Sequence, residues 1–130
     1  MIKIFILTSL ISLVLTSQKE CSNNNKKGNN CHKGKLEIKG ICSNYTITVL
    51  EGSLDSSKIS KSWTDENTNK TYNNVFALDS PCSFPADIKE GDEFYFTIRQ
   101  EGDKDCNVCM AYYPTPPKRL SITVSKTACP

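Results

Sequence analysis

From Lys35 onward, hydrophobic and polar residues alternate with period two, the pattern of strands that bury one face. In KLEIKGIC (35–42), Leu36 and Ile38 share one side while Lys35, Glu37 and Lys39 share the other. Gly40 interrupts the alternation and Ile41 falls out of register, as at a β-bulge. Ser43-Asn44 then offers a two-residue connection to YTITVL (45–50), which places Tyr45, Ile47 and Val49 on one face. The two segments predict a hairpin.

Further along, KISKSW (58–63) predicts a short strand, and DENTNK (65–70) an exposed loop with a solvated Asp65-Glu66 pair. TYNNVFAL (71–78) predicts a strand that Pro81 ends, because proline cannot donate to a ladder. CSFPADIKEGD (82–92) reads as a connection with one helical turn at 85–89. EFYFTIR (93–99) points Phe94, Phe96 and Ile98 inward and Tyr95 outward, and RLSITVS (119–125) points Leu120, Ile122 and Val124 inward. With Phe76 and Leu78 these make a core of a dozen sizeable side chains. At ~1.5–3 kcal/mol for each fully buried side chain, that suffices for one small domain.

The fold class expected is therefore all-β: a small antiparallel barrel or a β-sandwich of five to seven strands, stapled by disulfides. The long first hairpin with its glycine bulge, and a late strand entered through KEGDEF, resemble an OB-type barrel. The β domain is assigned to 35–130. Ahead of it, QKECSNNNKKGNNCHKG (18–34) has no aliphatic residue, so it is expected to be a flexible leader.

The first 17 residues read as a signal peptide. Lys3 precedes the apolar stretch IFILTSLISLVL (4–15), which is too short for the about 20 residues of a membrane-spanning helix. No later stretch is long and apolar enough to span, so the chain is expected to be secreted, periplasmic or on the cell surface. Cys21 stands where a lipid anchor would attach, but Glu20 occupies a position where such sites need a small residue. Without Lys3, 15 basic residues face 14 acidic ones, which gives no electrostatic case for nucleic acid. Lysine outnumbers arginine 14 to 2, a coding bias that points to an AT-rich, bacterial genome.

All seven cysteines (Cys21, Cys31, Cys42, Cys82, Cys106, Cys109 and Cys129) follow the signal peptide. In a small exported domain they read as disulfide partners, with one left over. The pairs favoured are Cys42–Cys82 and Cys129 with either Cys106 or Cys109.

Candidate chemistry concentrates in CNVCMAYYPTPP (106–117). A redox CxxC needs its first cysteine at a helix N-terminus, and MAYYPTPP cannot continue a helix past Tyr113. Met110 stands where a c-type haem site needs histidine. Half a zinc site is present, but a second close cysteine pair is missing. Asp103, Asp105 and Asn107 match the start of a calcium loop, yet Val108 and Pro114 stand where glycine and glutamate are required. His32 is the sole histidine and falls in the leader, so no nucleophile–histidine pair is expected. Two sequons, Asn44-Tyr45-Thr46 and Asn69-Lys70-Thr71, matter only in a eukaryotic secretory pathway.

What remains is a non-catalytic binding or structural module, without cofactor or metal, for a protein or glycan partner. Tyr95, Tyr112 and Tyr113 are its expected contact residues, since tyrosines outside a core form low-entropy contact surfaces. Two alternatives are a metal- or redox-active protein using Cys106 and Cys109, and a secreted enzyme inhibitor presenting loop 111–118.

Overall fold

The computed structural model describes residues 30–128. The expectations for the signal peptide, for Cys21, for the leader up to residue 29 and for Cys129 lie outside the described residues. Six strands follow one another: β1 (Cys31–Lys39), β2 (Tyr45–Glu51), β3 (Ser60–Thr64), β4 (Thr71–Leu78), β5 (Glu93–Arg99) and β6 (Arg119–Ser125). Among the described residues the only helical segments are single 3-10 turns at Ile41–Ser43 and Pro81–Ser83.

Five strands close a ring. β1 pairs with β2, β2 with β4, β4 with β6, β6 with β5, and β5 with β1. The β4–β6 pairing is parallel and the others are antiparallel, so the closed sheet is mixed. This is an OB-like barrel and not a sandwich. β3 stands outside the ring, paired only with β4 from Ser60↔Val75 to Thr64↔Thr71. Together β3 and the first half of β4 form an arm, on which Trp63 and Tyr72 stack with ring centroids 6.0 Å apart.

The alternation read from the sequence sets the barrel interior. Leu36, Ile47, Phe76, Leu78, Phe94, Phe96 and Ile122 are buried within one cluster, with Val49, Ile98 and Val124 packed against it. From the connector between β4 and β5, Phe84 and Ile88 join the same cluster. Phe84 meets Phe94 edge-on at 5.5 Å and Tyr45 at 5.6 Å. The connector is fastened to β1: Lys39 Nζ donates to the carbonyls of Ala86 (3.0 Å) and Ile88 (2.8 Å). Its expected helical turn is a single hydrogen bond from Ile88 N–H to Pro85 O.

Three expectations are corrected by the structure. β1 starts at Cys31, so the last four leader residues are strand. Gly34 makes this possible, because an added Cβ there would lie 2.9 Å from Phe96 Cε1. His32 belongs to the barrel interior, 4% exposed, with its ring 5.3 Å from that of Phe96. The β1 irregularities fall at Lys33/Gly34 and Leu36/Ile38, not at Gly40. The β1–β2 connection turns instead through left-handed Cys42 (φ 53°) and Ser43 (φ 59°). Asp65 is 1% exposed and not solvated, because it accepts bonds from Asn67 N–H (3.1 Å) and Thr68 Oγ1 (2.7 Å) inside the arm's loop.

Candidate functional site: a strap tied across the barrel

Two disulfides lie among the described residues, Cys42–Cys109 and Cys82–Cys106. They replace the expected Cys42–Cys82 pair and the expected bridge from Cys106 or Cys109 to Cys129. The β5–β6 loop reaches both the β1–β2 turn and the β4–β5 connector, which brings each CxxC cysteine to a different partner. Cys31 is disulfide-bonded too. Cys106 and Cys109 are therefore not bonded to each other, and neither is a thiol. Cys82, Cys106 and Asp103 lie close enough to suggest a metal cluster, but both sulfurs are already joined to one another.

Beside the Cys82–Cys106 bridge is an open cavity of about 490 Å³ lined by Ser83, Arg99, Glu101, Asp103 and Lys104. Its charges are paired internally. Arg99 Nη2 donates to Asp103 Oδ1 at 2.6 Å, and Lys104 lies 3.9 Å from Glu101. Burial pushes the Asp103 carboxyl upward, but hydrogen bonds from Arg99 and Ser83 together hold it below the ordinary carboxylate value. The cavity is a folded ion-pair loop.

Beyond Cys109 the chain becomes a strap. Tyr113 packs against Gly40. Pro114 and Pro116 are buried, and the Lys118 carbonyl accepts a bond from Ala77 N–H at 2.8 Å. That course runs from the β1–β2 turn to the end of β4. It passes the outward-facing Thr46 and Ala77, cross-strand partners that are both fully buried although they point away from the barrel interior. In OB-fold proteins the outer face of these central strands, flanked by the corresponding two loops, is the usual ligand surface. Here the chain's own strap occupies it.

The three expected contact tyrosines consequently have different fates. Tyr112 is 78% exposed, with its hydroxyl donating to Glu66 Oε2 of the arm's loop at 3.4 Å. Tyr113 is a packing residue on Gly40. Tyr95 is half-buried on the outer wall of β5, opposite Lys33 and Ser125, away from the other two. The structure does not bring the three together.

It does assemble an apolar group that tyrosine content alone did not reveal. Val108 (40% exposed) and Met110 (96%) flank Cys109, and Ile41 (59%) precedes its partner Cys42. The two bridged Cα atoms are 4.9 Å apart. With ~3.8 Å between consecutive Cα atoms, the Cα atoms of Val108 and Met110 lie within roughly 13 Å of that of Ile41 and within about 8 Å of each other. A signal for this was present: in VCMAYY (108–113), one parity carries Val108, Met110 and Tyr112 and the other Cys109, Ala111 and Tyr113. The first parity holds the exposed bulky residues, and the second holds the bridged Cys109 and the packed Tyr113, with Ala111 exposed between them.

No protein family, curated protein or solved structure matches the chain, so its function rests on this geometry.

Proposed function

We propose that the protein is an exported, non-catalytic binding module whose contact surface is the tip around Cys42–Cys109, with a protein as partner. One observation carries this reading: Ile41, Val108, Met110 and Tyr112 are exposed together on loops joined by a disulfide. Contiguous exposed apolar surface on a small domain marks interaction sites. Loops tied together before binding lose less conformational entropy on association. The aliphatic and thioether character of the tip favours a protein over a glycan. Signal peptide, export and disulfides form one consistent picture, since disulfides persist outside the reducing cytosol. Among the described residues no helix is long and apolar enough to cross a membrane.

A second reading, enzyme inhibition, draws on the same tip. Residues 113–118 are committed to the barrel, so the part able to enter a cleft is 107–112 and not 111–118.

A photo-reactive benzophenone side chain at Val108, compared with one at the exposed Ser56 of the β2–β3 loop, tests the proposal in cells of the source organism. A discrete protein adduct from position 108 alone is expected. Adducts absent from 108, or identical from both positions, would overturn it.

A further inference from the structure

Met110 is the most exposed large hydrophobic residue described and, apart from Met1, the chain's only methionine. Its sulfur is open to solvent, while the neighbouring Cys42, Cys82, Cys106 and Cys109 are already in disulfides and offer no competing thiol. Met110 is also the centre of the tip, between Val108 and Tyr112. We propose that Met110 is a reversible oxidation site, and that its sulfoxide switches the contact tip from apolar to polar. The inference rests on the binding reading above for its consequence, but not for its chemistry.

The step balances with co-reactants met outside the cytosol. A peroxide delivers one oxygen to the thioether: the sulfur is oxidised by two electrons, the O–O bond breaks, and water or an alcohol leaves. Reversal takes a methionine sulfoxide reductase with a dithiol donor, giving thioether, water and a disulfide on the donor. The product is a strongly hydrogen-bond-accepting S=O group on a side chain that the tip presents as its apolar knob. Inserting it into an apolar pocket leaves that oxygen without a donor. Because Met110 packs on nothing in the free molecule, oxidation leaves the barrel as stable as before. Only the contact changes.

The test uses the full secreted chain, titrated with hydrogen peroxide and followed by peptide mapping. One added oxygen on Met110 is expected, at a rate within about twofold of free N-acetylmethionine, as full exposure implies. Retention on a phenyl column should shorten on oxidation and recover after treatment with a thioredoxin-coupled reductase. Met110→Leu, at an exposed position that cannot disturb folding, should keep its retention through the same treatment. Adduct formation from benzophenone at Val108 should fall roughly tenfold or more on oxidation and persist in the Met110→Leu form. Reaction at Met110 more than tenfold slower than the free amino acid, or retention that falls equally in Met110→Leu, would overturn the proposal. If unoxidised protein forms no adduct, the binding reading fails, while mass and retention still decide the oxidation switch.

Discussion

The ring of Tyr113 lies so close to Gly40 that a Cβ at residue 40 would sit 2.7 Å from Tyr113 Cδ1 and 2.6 Å from the Asn44 carbonyl oxygen. Gly40 has an ordinary extended φ of −68°, so the requirement for glycine is steric and not conformational. Gly40→Ala must displace the strap, the turn, or both. The expected loss is about 1–3 kcal/mol, typical of overpacking. For a domain of this size that lowers Tm by roughly 4–8 °C per kcal/mol in calorimetry. Adding Tyr113→Ala should recover part of the loss, because the ring is one of the two obstacles. Strictly additive single and double variants would show that the strap does not bear on Gly40.

The two bridges should contribute unequally. Cys42–Cys109 closes 67 residues and Cys82–Cys106 closes 24. Loop-closure entropy assigns them about 4.4 and about 3.5 kcal/mol. Urea melts of the two paired Cys→Ser variants should therefore rank the Cys42/Cys109 variant as the weaker by about 1 kcal/mol. The reverse order would mean that residual structure in the unfolded chain dominates over loop length.

His32 gives the barrel an acid-sensitive end. Its Nδ1 is buried without a hydrogen-bond partner, close against Gly52, and burial lowers its pKa from the ordinary 6.5. The folded state prefers the neutral ring. Stability is therefore complete above pH 6.5 and declines as the pH falls below it toward the folded-state value. Lys33 beside it in β1 is tied to Glu93 at 2.6 Å and lies 3.9 Å from Glu51 of β2. Chemical denaturation at pH 7.5, 6.5, 5.5 and 4.5 should show this decline in the native protein and a much flatter profile in His32→Leu. Equal profiles in both would assign the acid limb to carboxylates instead.

Asp65 holds the arm's loop from within. Besides its side-chain bonds to Asn67 and Thr68, its backbone N–H donates to Lys70 O at 2.9 Å. Asp65→Ala leaves those donors unmatched, at a cost of about 1–2 kcal/mol confined to the arm. Hydrogen exchange should quicken across residues 60–75 while Phe94–Ile98 amides stay protected. Uniform quickening would mean that the arm and the barrel unfold as one unit.

The barrel interior was legible because period two marks strands whatever their partners: Leu36, Phe94, Phe96, Leu120 and Ile122 all join the interior cluster as read. Ile38 does not, because the irregularity after Leu36 pairs it with outward-facing Thr46, where it is buried outside that cluster. His32 escaped because a histidine among Asn, Lys and Gly carries no apolar signal, although the flat face of Phe96 accepts its ring. Val75 and Ala77 alternate with the inward Phe76 and Leu78 and are nonetheless fully buried, since an outer face becomes a second core once a strap covers it. Disulfide partners depend on which loops share a barrel end, and that follows from ring closure, which local pattern does not encode. The tip was missed for a related reason. Tyrosine content drew attention to Tyr113, whereas exposure at Met110 depends on which residues the Cys42–Cys109 bridge turns outward.

The parallel pairing of β4 with β6 joins Ala77 to Arg119 and Leu78 to Leu120, and β6 also carries the full register with β5. The strand that closes the ring is thus the last of the six to emerge when the chain is synthesised or threaded through a channel. Until residues 119–125 are free, β4 and β5 each lack a neighbour, and the strap that ends at Lys118 has nowhere to dock. The barrel must therefore form after its chain has nearly all emerged, and it remains a threadable polymer until then. Parallel closure works as a timing device: the barrel, and the strap tied to it through Cys42–Cys109 and Cys82–Cys106, is completed only by the last strand.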